Sequence, residues 1–170
     1  KGVVSQSLLD RVLALGAAHG RLIALDPKPS RRLKFARAGV ITPNRAEALE
    51  LAGLTESGGE VVSLEEIVAR IHEIYAPELL IITLGAGGMA ICREGQVEHR
   101  MPTEAREVFD VSGAGDTVIA CLTAALAAGA SPFDAAHLAN LAAGIVVSKI
   151  GTAIATPAEI MAFDRSVGGS

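Results

Sequence analysis

The run Leu79-Leu80-Ile81-Ile82-Thr83-Leu84 limits the fold more than any other segment of this chain. A strand with one face in water alternates polar and apolar residues. An uninterrupted apolar run of this length fits a strand covered on both faces, as in parallel sheets flanked by helices. The rest of the sequence supplies such flanks. Ser7-Leu8-Leu9-Asp10 resembles a capping box, with Asp in place of Glu, and opens a predicted helix that stops at Gly20. Leu22–Leu25 reads as a short strand closed by Asp26-Pro27-Lys28-Pro29, and Val40–Thr42 as a second strand broken by Pro43. Helices are predicted over Arg45–Leu51 and Ser63–Tyr75, with a surface loop over 54–59 between them. Met89–Cys92 and Val97–Met101 flank Glu94-Gly95 as an antiparallel hairpin. Val108–Val111 reads as a further buried strand, followed by a glycine-rich turn and a helix over Asp116–Ala128. Ser131 and Pro132 suit the N-cap and first position of a helix running toward Lys149, and a last helix starts near Pro157. This alternation predicts an α/β sheet with helices on both faces.

Composition removes several classes of function. With 170 residues, half of them hydrophobic and a fifth charged, the chain can bury the core of one ordinary domain and is not disordered. Aromatics at 3%, without Trp, leave no stacking platform for single-stranded nucleic acid, and a net charge of −4 disfavours a general polyanion binder. Nucleic acid is therefore not an expected partner. Cys92 and Cys121 lie far apart without a CxxC, which points to a reducing, cytoplasmic setting. The most apolar stretch, Thr117–Ala130, is too short to span a bilayer and reads as buried helix, so no membrane partner is expected. His19, His72, His99 and His137 lack zinc-ligand spacing, and no Gly-x-Ser-x-Gly elbow is present.

The segment richest in chemistry is Asp110-Val111-Ser112-Gly113-Ala114-Gly115-Asp116. It lies between a predicted strand and a helix, so the amides of Gly113, Ala114 and Gly115 face outward at a helix N-terminus. Unsatisfied N–H groups and the helix dipole make such a turn an anion site, and small residues let a phosphate approach the backbone. A carboxylate at Asp116 then suits removal of a proton from a hydroxyl attacking that phosphate. An Asp near a helix N-terminus also stabilises the helix without any catalytic role.

This turn resembles the signature Asp-x-Thr-Gly-Ala-Gly-Asp of the ribokinase-like (PfkB-type) sugar kinases, with Ser112 in place of Thr and Cys121 where Ala or Gly is preferred. The resemblance implies that Asp116 is the catalytic base and that Gly113, Ala114 and Gly115 form the anion hole for the transferring phosphoryl group of ATP. Thr42-Pro43-Asn44-Arg45-Ala46-Glu47 is similar to the family's Asn-x-x-Glu motif, which assigns Asn44 and Glu47 to Mg²⁺, through water, and to the nucleotide phosphates. An N-cap Asn with Glu at the third helical position accounts for the same residues, and both roles are compatible. Thr83-Leu84-Gly85-Ala86-Gly87-Gly88 resembles a strand-end loop along the nucleotide, assigning Thr83, Gly85, Gly87 and Gly88; alone it is also a plain hairpin turn. Asn140 matches a nucleotide contact on a late helix, or is a satisfied helix-surface amide. Many family members bind a monovalent cation such as K⁺, and Asp110, Ser112, Val146, Lys149, Gly151 and Ala155 occupy the matching positions.

Asp26-Pro27-Lys28, Asp116-Thr117-Val118-Ile119 and Lys149-Ile150-Gly151-Thr152 most resemble the branch that phosphorylates the anomeric hydroxyl of D-glycero-β-D-manno-heptose 7-phosphate for ADP-heptose and lipopolysaccharide synthesis. In that reading Lys28 is a point charge toward nucleotide phosphates; as a loop lysine it is equally a solvated cation, and the run Lys28, Arg31, Arg32, Lys34, Arg37 reads first as a solvated face. The resemblance implies a three-layer α/β/α ribokinase-like fold of which residues 1–165 are the C-terminal, nucleotide-binding part, with 166–170 a tail or linker. Lys1-Gly2-Val3 matches the middle of a family chain, so the N-terminal half and β-lid are expected to be absent, as partners of this part. A homodimer of the longer protein is compatible with the resemblance. Ribose or fructose are alternative acceptors. A nucleotide-binding or interaction module without catalysis is the alternative of another class.

Overall fold

A computed structural model of the chain describes residues 3–29, 33–105 and 107–167. Expectations on Lys1, Gly2, Arg31, Arg32 and the 168–170 tail fall outside these residues. The chain divides into two compact units, Lys1–Ile82 with Cys92–Glu98, and Thr83–Ile91 with His99–Ser170.

The first unit contains α1 (Gln6–Ala18), β1 (Ala24–Leu25), β2 (Val40–Ile41), α2 (Arg45–Leu51), α3 (Leu64–Tyr75) and nearly all of β3 (Leu79–Thr83). The three strands are parallel, with Ala24 opposite Val40 and both Val40 and Ile41 opposite Leu79 and Leu80 in turn. The apolar run behaves as its composition demands: Leu79–Ile82 are all buried, with Ile81 and Ile82 at 0% exposure. Helices α2 and α3 pack together, and Ala48, Ile67, Val68 and Ile71 are likewise sealed from solvent. Ser63 caps α3 by accepting from the Glu66 amide, and α3 ends at Ala76 in the left-handed region (φ 45°).

The second unit holds a 3₁₀ turn (Gly85–Gly87), α4 (Ala114–Ala127), α5 (Pro132–Val147) and α6 (Pro157–Val167). The small-residue helices α4 and α5 pack closely, with Val118 and Leu122 of α4 and Ala135, Ala139 and Ala142 of α5 buried. Ser131 caps α5 and Pro132 occupies its first turn. Strands β4 (Met89–Arg93) and β5 (Gln96–Met101) are joined by Glu94 and Gly95 at φ 51° and 77°, the positive pair a tight hairpin turn requires. The strand order is β1-β2-β3-β4-β5.

Four expectations are corrected. Val108–Val111 is not a strand: Val108, Phe109 and Val111 are 62%, 63% and 69% exposed. The amides of Phe109 and Asp110 both donate to the Val147 carbonyl, at 2.8 and 3.2 Å, so no strand ladder forms. The N-cap of α1 is Ser5, which accepts from the Leu8 amide, and not Ser7. Helix α4 starts at Ala114, so Asp116 lies inside its first turn, and α6 runs past 165 to Val167.

Candidate active site

The glycine-rich turn in the second unit is built by Asp110. Its Oδ1 accepts from the Ser112 amide at 2.8 Å and its Oδ2 from the Gly151 amide at 3.2 Å. The Ser112 amide first, and then the Ser112 hydroxyl and the Gly151 amide, hold the Asp110 carboxyl below its usual range against the opposing effect of burial. An ionised Asp110 thus ties the turn to the loop after α5. Gly113 then takes φ 81° as the N-cap of α4, a conformation that a Cβ disfavours. The Gly113 carbonyl accepts from both the amide and the hydroxyl of Thr117, at 2.9 and 2.8 Å.

Helix α4 then runs for 14 residues, with Asp116 in its first turn. The Ala114 amide leans back to the Val111 carbonyl at 3.2 Å, whereas the first-turn amides of Gly115 and Asp116 lie beyond the reach of helical acceptors. A Cβ on Gly115 would meet nothing within 4 Å. Asp116 is exposed, and among the described residues no hydrogen bond or ion pair engages its carboxylate. Gly115 and Asp116 are thus both exposed at the start of the helix.

Other predicted residues of this unit fall into two groups. Thr83 is half-buried, and Gly85 (φ 57°) and Gly87 are exposed on the 3₁₀ turn, with the Leu84 amide closing onto the Gly88 carbonyl at 2.8 Å. Gly88 is structural: a Cβ there would lie 2.0 Å from the Met101 carbonyl oxygen. Asn140 is 3% exposed and donates through Nδ2 to the Pro102 carbonyl at 2.7 Å, so it pins the segment after β5 onto α5 from a buried face. Of the residues matched to a monovalent cation, Asp110, Ser112 and Gly151 are brought together by the bonds above. Val146 is buried and its carbonyl accepts from the Lys149 amide, and Ala155 is half-buried. The Lys149 Nζ donates to the Ile154 carbonyl at 2.8 Å and to Glu159 at 2.7 Å. That bond, with the Thr156 amide and hydroxyl, pulls the Glu159 carboxyl to about 2.

In the first unit Asn44 and Glu47 form a reciprocal capping box on α2. Asn44 Oδ1 accepts from the Glu47 amide at 2.9 Å, and Glu47 Oε2 accepts from the Asn44 amide at 3.0 Å. Lys28 is not a free point charge. Its Nζ lies 2.9 Å from Glu47 Oε1 and 3.0 Å from Asp26 Oδ2. Partial burial pulls its pKa down, but the bonds to Glu47 and Asp26 outweigh it and leave the ammonium above its ordinary 10.5. With Lys28 half-exposed, each pair contributes on the order of 0.2–1 kcal/mol, a contact that can be exchanged. Asp26 is the functional candidate that sequence reading missed. Its one signal was its position at the carboxyl end of a parallel strand, where open α/β sheets place ligands.

Among the described residues there is no group of three or more His, Cys, Asp or Glu side chains that could hold a metal, and no helix long and apolar enough to cross a membrane. Cys121 is half-buried, and burial pushes its thiol up, away from reactivity.

The sequence profile described as pfkB family carbohydrate kinase matches residues 2–159. The bifunctional protein HldE of Desulfatibacillum aliphaticivorans is 45% identical over 162 residues, which cover 95% of this chain and 33% of that protein. The chain thus spans about a third of the length of such curated relatives. Ribokinase from Thermotoga maritima superposes with a TM-score of 0.78 at 23% identity, over 92% of this chain and 53% of that one. Arabidopsis thaliana ribokinase complexed with ribose and ATP gives 0.77 at 22%, over 94% and 52%. These two likenesses establish a ribokinase-like α/β fold.

Proposed function

The chain belongs to the pfkB family of carbohydrate kinases, and from that membership we propose that it transfers the terminal phosphoryl group of ATP to the anomeric hydroxyl of D-glycero-β-D-manno-heptose 7-phosphate. The observation that carries the chemistry is the start of α4, where first-turn amides and an unengaged Asp116 carboxylate face open space. The amides of the Gly113–Gly115 turn receive the phosphoryl oxygens, a role that needs donors fixed before the charge develops. Asp116 accepts the proton of the attacking hydroxyl. The 3₁₀ turn at Gly85–Gly87 borders the nucleotide. The loop joined to Asp110 through Gly151 is the candidate seat of a monovalent cation. Asn44 and Glu47 offer the hard oxygen donors that Mg²⁺ prefers, and Glu47 already faces the Lys28 ammonium. Mg²⁺, when bound, neutralises phosphate charge. The acceptor rests on the branch-specific wording around Asp26, Asp116 and Lys149, and the similarity to proteins named HldE supports that branch.

The test measures ADP release with a panel of sugars and sugar phosphates. The expected result is strong preference for the heptose 7-phosphate over ribose, fructose and other acceptors. Asp116→Asn should lower turnover by about 10²–10⁴ with ATP affinity nearly unchanged. Normal turnover in that variant would remove Asp116 from its role. A second reading follows from the span of the chain, a third of its curated relatives: a nucleotide-binding module without catalysis. ADP binding without transfer to any acceptor would favour it.

A further inference from the structure

The loop between α5 and α6, in the second unit, touches the glycine-rich turn, yet no backbone ladder holds it in place. Among the described residues, positions 150–155 make no hydrogen bond from one backbone group to another. Side chains hold the loop instead. At its tip, the Gly151 amide donates to Asp110 Oδ2 at 3.2 Å, and Thr152 Cγ2 lies 3.6 Å from where a Cβ on Gly113 would stand. At its base, the Lys149 ammonium reaches forward to the Ile154 carbonyl at 2.8 Å and to Glu159 Oε1 at 2.7 Å. Lys149 follows the C-cap of α5, so these two bonds join the start of the loop to its end and to the first turn of α6. The loop is thereby closed on itself. Glu159 is fixed in turn. Its Oε2 accepts from the amide and the hydroxyl of Thr156, each at 2.8 Å, and its own amide donates to that hydroxyl at 3.3 Å. This is a capping box at the start of α6, and it leaves Oε1 for Lys149. Ile150 and Ile154 are 89% and 75% exposed, so the large apolar side chains of the loop do not anchor it.

We propose that the Lys149–Glu159 pair is a positioning clamp for the glycine-rich turn: by closing the loop between them it holds Gly151 and Thr152 against Asp110 and Gly113, and so fixes the first-turn amides of α4. The proposal rests on the reading of those amides as the donors that receive the phosphoryl group. Lys149 and Glu159 act through other residues and do not themselves meet the phosphate. Asp110 carries the connection, because its second oxygen accepts from the Ser112 amide at 2.8 Å, one residue before Gly113. Donors that stabilise developing charge must be in place beforehand, and a displacement of about 1 Å costs about 10² in rate. Lys149 and Glu159 are 34% and 42% exposed, so the pair adds little to global stability. Its effect is to select one arrangement of a loop that has no backbone bonds of its own. With Lys149 removed, the Gly151–Asp110 bond holds the tip alone.

The test is Lys149→Met, which keeps the side-chain length and the capping box and removes both clamp bonds. Turnover should fall about tenfold while KM for ATP changes less than about twofold. Tm should stay within about 4 °C of the unaltered protein, as expected for a half-exposed pair. Lys149→Arg, whose guanidinium can donate to both acceptors, should recover turnover to within about threefold. Glu159→Gln keeps the capping box and weakens only the bond to Lys149; it should show the same pattern at about threefold, and it decides the matter if Lys149→Met does not fold. Asp164→Asn removes the other ion pair of α6, His137 Nε2 to Asp164 Oδ1 at 3.0 Å, and should leave turnover unchanged. In ¹H–¹⁵N spectra without substrate, Lys149→Met should shift the Gly151, Ser112 and Gly113 amides, and Asp164→Asn should not. Normal turnover in Lys149→Met, a loss that Lys149→Arg does not relieve, an equal loss in Asp164→Asn, or amides indifferent to Lys149 would each overturn the proposal. A chain that shows the Lys149-dependent amide shifts but transfers no phosphoryl group refutes the kinase reading alone. A working kinase whose turnover and amides ignore Lys149 refutes the clamp alone.

Discussion

Gly115→Ala separates the anion-site reading from any structural reason for a glycine at that position. Gly115 lies in the first turn of α4, outside the residues with positive φ, and a Cβ built on it meets nothing within 4 Å. Folding therefore has no use for a glycine here. Alanine at a compatible site restricts the unfolded chain and stabilises by about 0.4–1 kcal/mol. For a chain of this size that is a rise in Tm of about 1–4 °C. Catalysis predicts the opposite sign. If the phosphoryl group rests against the Gly115 amide, the new methyl stands in its path. Misplacement by about 1 Å, or loss of one preorganised donor, costs about 10²–10³ in turnover. Scanning calorimetry and ADP release on the same preparation read both quantities. A variant that melts higher and turns over at the normal rate would show that no phosphoryl group sits against this amide. A variant that melts several degrees lower would refute the conformation assigned to the start of α4.

Gly88→Ala should behave in the reverse way. Gly88 has φ 82°, and its new Cβ would meet the Met101 oxygen at 2.0 Å and the Pro102 carbonyl carbon at 2.5 Å, backbone atoms that cannot rotate aside. Strain and overpacking together cost about 3 kcal/mol, which a urea midpoint lowered by about 1–2 M would register. Gly85→Ala (φ 57°, open space) should cost only about 1 kcal/mol. Glu159 gives a pH signature. Its folded pKa of about 2 lies below the ordinary 4.5, so its stabilisation is complete above 4.5 and is lost as pH falls from there through 2. Glu159→Gln should flatten the fall of the urea midpoint over that window; an unchanged slope would remove the Lys149–Glu159 bond as its source.

Local chemistry was legible in the sequence, and partnership between distant segments was not. The buried run at Leu79–Ile82, the Glu94-Gly95 turn, the Ser63 and Ser131 caps and the Asn44–Glu47 box each depend on neighbours within a few residues. Val108–Val111 has the composition of a strand, but a strand exists only where another strand offers a ladder. Here the Phe109 and Asp110 amides turn instead to one carbonyl at the end of α5. Ser5 and Ser7 are both plausible caps, and nothing in the spacing shows which serine precedes the first helical turn. Asp26 escaped for the same reason as the false strand. It is 21 residues from Glu47 in sequence, and only the parallel pairing of β1 with β2, joined by Lys28, brings the two carboxylates to a common cation.

The same distinction separates two kinds of residue within one motif. Read as letters, Asp110, Gly113, Gly115 and Asp116 belong to one signature, and Gly88 and Asn140 to its supporting loops. The structure divides them by whether their polar groups are already engaged. Asp110 accepts from two amides, Asn140 holds the Pro102 carbonyl, and Gly88 makes room for Met101. These residues are part of the framework, and replacing them damages the scaffold first and any reaction second. Among the described residues, a Cβ at Gly115 has no close neighbour to accommodate and the Asp116 carboxylate has no bond to keep. Helix stability would favour Ala over Gly at position 115, and it leaves the Asp116 carboxylate facing water without a partner. Residues whose groups the fold leaves open, placed where an anion is attracted and a proton can be removed, are the ones whose substitution should change chemistry more than folding.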